Sequence, residues 1–188
     1  MGKKGKIIAV SSPSGGGKTT IVKRILKEFP ELVFSVSATT RPQRKNEKHG
    51  VEYYFISEEE FKKHIENNDF VEWERFYDYY YGTFKSFITD NIEKGKSLVL
   101  EVDVKGALSL KQIYPESHLI FIDPPSLDEL VKRLRNRNTE SPEDFQKRID
   151  RAKMELELKE KFDYVVENKV LEKATTEVLS LISKIIKE

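Results

Sequence analysis

The stretch Ser11-Ser12-Pro13-Ser14-Gly15-Gly16-Gly17-Lys18-Thr19-Thr20 limits the folds open to this chain more than any other. It follows the apolar run Lys6-Ile7-Ile8-Ala9-Val10 and precedes the amphipathic run Ile21-Val22-Lys23-Arg24-Ile25-Leu26. That order predicts a buried strand, a tight turn and a helix. Glycines without Cβ let successive backbone N–H groups curl into a concave nest, and a helix N-terminus adds its partial positive charge. Lys18 brings a mobile cation to the same point, and the Thr19 hydroxyl suits a magnesium ion carried in by a triphosphate. The chemistry expected here is the cradling of a polyphosphate.

The P-loop pattern G-x-x-x-x-G-K-[ST] places its first glycine at Ser12. Pro13 follows, and a residue before proline is pushed to extended geometry. Ser12 is therefore expected to end the strand without entering the left-handed region, and its Cβ to cost little unless it crowds a phosphate.

A chain of 188 residues is long enough for one compact domain with subdomains. Charge is nearly balanced, with Lys+Arg 33 against Asp+Glu 32, which argues against a general nucleic-acid coat. With Cys 0 there is no disulfide framework, thiol nucleophile or cysteine metal site. No apolar run approaches membrane-spanning length and the N-terminus lacks a signal-peptide core, so neither a membrane nor secretion is expected. A cytoplasmic location is the expectation.

Further on, the pattern predicts strands at Leu32–Ser37, Glu52–Ile56, Phe70–Phe76, Ser97–Asp103, Leu119–Ile122 and Asp163–Glu167. Helices are expected at Glu58–Glu66, Thr83–Lys94, after Asp103, from Ser126, from Pro142 and from about Leu171. Ser57 with Glu60, and Ser126 with Glu129, have capping-box spacing. Apolar strands alternating with helices imply an α/β fold, a parallel sheet covered on both faces. The stretch from Ser37 to Lys94, with shorter strands rich in tyrosine and acid, reads as an inserted lobe. Ligands of such sheets sit outside the carboxyl ends of the strands, where the glycine-rich turn, Ser37, Glu101 and Asp103 fall.

The inserted stretch carries its own chemistry. Arg41 and Arg44 share a polar loop, and each offers a planar fork suited to phosphate oxygens. Tyr53 and Tyr81 add neutral phenol donors, and Glu72 follows an apolar residue in a half-buried strand. A second phosphate grip beside a polyphosphate site suggests phosphoryl transfer between nucleotides.

Several segments together carry a resemblance. They are Ser12 to Thr19, Ser35-Val36-Ser37-Ala38-Thr39-Thr40-Arg41-Pro42-Gln43-Arg44, Gly50 to Phe55, Phe70-Val71-Glu72-Trp73, Tyr80-Tyr81-Gly82-Thr83, and Glu101 to Ala107. Over nearly its whole length the chain resembles the guanylate kinase family of nucleoside monophosphate kinases. The Ser-x-Thr-Thr-Arg-x-x-Arg segment with the later Tyr-Tyr-Gly is more specific than the P-loop alone.

The resemblance implies a P-loop kinase fold with core segments 1–36, 97–125 and 152–188, a GMP-binding lobe 37–96 and a helical lid 126–151. It implies transfer of the terminal phosphoryl group of ATP to GMP, with Mg2+ held in part by Thr19. ATP would lie on Ser12, Pro13, Ser14, Gly15, Gly16, Gly17, Lys18, Thr19 and Thr20, with Arg133 above it. Arg41, Arg44, Tyr53 and Tyr81 would hold the GMP phosphate, while Ser37, Glu72, Thr83 and Asp103 would read or support the guanine. Lys18, Arg41, Arg44, Arg137 and Arg148 would serve the transfer itself. Acceptance of dGMP and the choice between monomer and homo-oligomer stay open. So do two rival functions: a kinase of another nucleoside monophosphate, and a non-catalytic guanylate-kinase-like module that grips phosphopeptides. Beyond Ser12, the sequence departs from the family pattern at Lys105, where glutamine is common, and at Asn138, where glycine is common.

Overall fold

The computed structural model describes residues 4–76, 78–135 and 142–187. Arg137 and Asn138 lie outside them.

Strand β1 (Ile7–Ser11) is buried along its whole length. It runs parallel between β7 (Leu98–Glu101) and β8 (His118–Asp123). With β2 (Val33–Phe34) beside β7 and β9 (Tyr164–Glu167) beside β8, the order is β2-β7-β1-β8-β9, all parallel. A strand covered on both faces reads as a near-continuous apolar run, which is why Ile7 to Val10 do not alternate. Its side chains divide between two cores. Ile7 and Ala9 join Leu98, Leu100, Leu119 and Phe121 under α4 (Val104–Ile113). Ile8 and Val10 join Ile21, Ile25, Val178 and Ile182 of α1 (Lys18–Glu28) and α7 (Leu171–Lys187).

The second sheet has the order β4-β3-β6-β5, built from β3 (Ala38–Thr39), β4 (Tyr54–Phe55), β5 (Phe70–Phe76) and β6 (Tyr79–Phe84). β5 and β6 form an antiparallel hairpin, and β3 pairs antiparallel to β6 and parallel to β4. Helix α2 (Glu58–Glu66) packs on this sheet through the fully buried Phe61, which stacks on Phe70 at 4.4 Å between ring centroids. Losing that ring would cost roughly 3–5 kcal/mol. Ser57 Oγ accepts the Glu60 N–H and starts the helix as its spacing predicts.

Three elements differ from the sequence expectation. The run Leu32–Ser37 is not one strand: after Phe34 the chain leaves the first sheet and enters the second at Ala38. The expected helix Thr83–Lys94 begins only at Lys85, as α3 (Lys85–Glu93), because Thr83 and Phe84 complete β6. The Tyr80-Tyr81-Gly82-Thr83 motif lies within a strand, β6, for which the sequence pattern gives no expectation. Gly82 looks like a turn residue, but a Cβ there would lie 3.0 Å from both Phe61 and Phe70, so it marks close packing under the helix. After β8 come α5 (Leu127–Arg135) and α6 (Pro142–Glu157), and α6 passes residue 151, the expected end of the lid, without a break.

Candidate active site

The carboxyl end of β1 opens directly into the glycine-rich turn. Ser12 is buried, with its hydroxyl on the Pro13 carbonyl at 3.0 Å. Among the described residues the positive-φ positions of this turn are Gly15 (φ 89°) and Gly17 (φ 97°), so Ser12 stays out of the left-handed region. A Cβ on Gly16 would fall 2.7 Å from Ser12 Oγ, so the missing side chain at 16 is what makes room for a serine at 12.

Gly17 is the N-cap of α1 and supplies no side-chain cap, and the first turn holds no acid. The contrast is with α4, where the Asp103 carboxylate accepts the Gly106 N–H at 2.6 Å. An uncapped N-terminus presents unpaired N–H groups and the positive end of the dipole to whatever anion lies there. Lys18 is the first residue of this helix; Thr19 and Thr20 follow on its exposed side, and Thr19 Oγ1 donates to Glu101 Oε1.

A cleft of about 630 Å³ runs from this turn to the second sheet. Its walls include Ser12, Ser14, Lys18 and Thr19 on one side and Ser37, Tyr53, Glu72 and Tyr81 on the other. Asp103 and Arg148 also line it, whereas Arg41, Arg44, Thr83 and Arg133 do not. Lys105 is exposed and lines a neighbouring cavity of about 390 Å³.

Glu72 is the most heavily buried acid of the cleft's far wall. Thr83 Oγ1 donates to its Oε1 at 2.7 Å, and Thr83 in turn lies 3.3 Å from Ser37 Oγ. Burial pushes the Glu72 carboxyl up to about 7; the Thr83 hydrogen bond opposes this, and the charges of Asp103 and Glu74 add to it. Glu72 also abuts α4: a Cβ on Gly106 would meet its Oε2 at 3.0 Å.

The arginine loop is ordered by a carboxylate. Glu47 Oε1 accepts from Arg41 Nη2 at 2.7 Å, and its Oε2 accepts the Arg44 backbone N–H at 2.9 Å. The Arg41 guanidinium lies 5.5 Å from the Tyr53 ring centre, and Tyr53 meets Tyr81 edge-on at 6.0 Å. Arg41 thus reaches the cleft through Tyr53, while Arg44 is exposed. Burial, with nearby Glu101, holds the Tyr53 phenol above its ordinary pKa, so it stays a neutral donor.

Arg133, which the resemblance assigns to ATP, is held at the end of β9 and within its own helix. Its Nε donates to Glu129 one turn away at 3.1 Å, and its Nη2 to the Asn168 carbonyl at 3.3 Å. Sequence reading passed over four further residues. Glu74 and Arg151 both line the cleft, as does Glu155. Strand alternation from Glu72 and helical spacing from Arg148 could have found them. Asn168, whose side-chain amide donates to the Gly16 carbonyl at 2.8 Å, carries no such signal.

The family model described as guanylate kinase matches residues 4–185. The guanylate kinase of Thermotoga maritima is 45% identical over 179 residues, covering 95% of this chain and 86% of that protein. That of Caldanaerobacter subterraneus subsp. tengcongensis is 46% identical over 180 residues, covering 96% and 87%. The crystal structure of guanylate kinase from Anaplasma phagocytophilum superimposes with a TM-score of 0.80 at 31% identity, covering 99% of this chain and 88% of that one. The chain belongs to the guanylate kinase family.

Proposed function

We propose that this chain transfers the terminal phosphoryl group of ATP to GMP, giving ADP and GDP. The observation that carries the reading is the cleft itself: an uncapped helix N-terminus with Lys18 on one wall, and a buried carboxylate, Glu72, on the other.

Phosphoryl transfer asks a protein for positioning and charge neutralisation more than for covalent chemistry. The nest amides and Lys18 would offset the donor's charge, and Arg41 and Arg44, ordered by Glu47, that of GMP. The acceptor oxygen is already anionic, so no general base is required. Arg148 lines the cleft, and with Arg137 it is assigned to the migrating group; comparable arginines are worth roughly a thousandfold or more in rate. Closure of the segment 126–151 over a core of 1–36, 97–125 and 152–188 would exclude water from the transfer. Cytoplasmic residence fits a cysteine-free chain that draws on ATP.

The Thr19 hydroxyl and the Glu101 carboxylate, within hydrogen-bond distance of each other, are hard oxygen donors of the kind Mg2+ prefers. When bound, the ion would neutralise charge on the donor's β and γ phosphates.

Base choice follows from donors and acceptors. Guanine presents N1–H and an exocyclic amine side by side, and a carboxylate accepts both. Adenine offers a lone pair at N1, which a carboxylate repels. Glu72, steadied by Thr83 and Ser37, is assigned to this reading, with Asp103 beside it. A buried polar group left unpaired by the wrong base can support discrimination of about ten-thousandfold. Titration of GMP and of ATP into the wild type and Glu72→Ala tests the assignment. GMP affinity should collapse while ATP affinity holds, and equal loss of both would remove Glu72 from base recognition.

A further inference from the structure

Arg151 of α6 is surrounded by carboxylates from three elements. Its Nε donates to Glu155 on its own helix at 2.7 Å. Its Nη1 and Nη2 form a two-pronged pair with Glu74 of β5, at 2.9 and 2.8 Å. The same Nη2 reaches Asp103 Oδ2 at 3.0 Å. A planar guanidinium can satisfy so many acceptors at once because its N–H groups are fixed in a fork; a lysine ammonium cannot match that geometry.

We propose that Arg151 is a positioning residue for the acceptor nucleotide: through Glu74 it sets the second sheet against α6, and with the same guanidinium it holds the Asp103 carboxylate in place beneath the base. This rests on the reading that GMP occupies the cleft.

Three observations carry the inference. First, Asp103 is held at both oxygens. Oδ1 accepts the Gly106 N–H and Oδ2 the Arg151 N–H, so the carboxylate cannot turn about its bond to Cβ. Second, six acids line the cleft, and Glu72, Glu74, Asp103 and Glu155 are among them. Acids this close drive one another to keep protons unless a cation lies among them. Burial tends to raise Asp103, yet hydrogen bonds from Glu74 and the Gly106 N–H, with the Arg151 and Lys18 charges, hold it below its ordinary pKa. Burial and Asp103 together push Glu74 above the ordinary carboxylate range, against the pull of Arg151. Third, Arg151 stands three residues after Arg148, on the same side of α6, and both line the cleft. The pair with Glu74 therefore also fixes how far the helix carrying Arg148 stands from the sheet carrying Glu72.

Steady-state kinetics on full-length Arg151→Met, Arg151→Lys and Glu74→Gln, beside the wild type, test this. Arg151→Met should raise the KM for GMP at least tenfold and leave the KM for ATP within twofold. Arg151→Lys, which keeps a charge near Asp103 but not the fork, should fall between it and the wild type. Glu74→Gln should raise the KM for GMP by less than Arg151→Met. In the double variant the two effects should be less than additive, because both act through one contact. A folded Arg151→Met with a wild-type KM for GMP, or with both KM values raised alike, overturns the proposal. Should Arg151→Met not fold, an unchanged KM for GMP in both Arg151→Lys and Glu74→Gln overturns it as well. A wild type that makes no GDP would instead overturn the assignment of GMP to the cleft.

Discussion

Asn168 donates its side-chain amide to the Gly16 carbonyl at 2.8 Å, from 152 residues further along the chain. The same residue donates its backbone N–H to Asp123 at 2.7 Å and accepts from Arg133, so it ties the glycine-rich turn to the end of β8 and to α5. Asn168→Ala leaves a buried carbonyl unpaired, which costs roughly 1–3 kcal/mol. Thermal denaturation should show that loss, and the KM for ATP should rise more than the KM for GMP. Gly17→Ala should behave alike and worse, because a Cβ at φ 97° is strained and would lie 2.6 Å from Asn168 Nδ2.

Lys18 opens α1 at the uncapped turn. Lys18→Ala should lower kcat by about a hundredfold or more, the scale of one preorganised electrostatic donor, in a protein that still folds. Circular dichroism and steady-state turnover on the same sample check this, and near-normal turnover would remove Lys18 from the transfer.

Glu72 allows a test in which stability and binding move oppositely. Its folded pKa, about 7, lies above the ordinary 4.5, so the folded state holds the proton more tightly than the unfolded chain. That stabilisation is full below pH 4.5 and is lost as pH rises to 7; at pH 8 the ionised carboxylate costs about 3 kcal/mol. Glu72→Gln should therefore have a higher Tm than the wild type at pH 8, with the difference shrinking toward pH 4.5. Its GMP affinity should be poor throughout. In the wild type, GMP affinity should rise with pH through 7. A Glu72→Gln Tm below that of the wild type at both pH values would contradict the account.

Glu47 holds Arg41 in a pair whose side chains are only 10% and 15% exposed. Glu47→Ala should raise the KM for GMP about tenfold, since a charge-assisted bond of this kind is worth roughly 1.5–3 kcal/mol. The KM for ATP should not change. Equal shifts for both nucleotides would point to general loosening of the structure.

Legibility followed the range of each interaction. The bounds of α2 and β5 match the sequence reading because a capping serine and a run of apolar and polar residues in turn are local signals. β6 was missed because Gly82 is there for Phe61 and Phe70, partners no local pattern reveals. The glycine-rich turn announces itself in ten residues, but its brace, Asn168, is fixed only when β9 comes to lie beside β8. Arg133 shows the converse. It pairs with Glu129 one turn back along α5, a contact set by helical spacing alone. Arg151 stayed unread because its meaning depends on Glu74 and Asp103, 77 and 48 residues away.

The central claim is tested most directly by one coupled assay of ADP release, with ATP, Mg2+ and, in turn, GMP, AMP, dTMP or UMP as acceptor. The account predicts rapid release with GMP, GDP formed in equal amount, and kcat/KM at least a thousandfold lower for AMP. No turnover with GMP, or equal turnover with GMP and AMP, would contradict it.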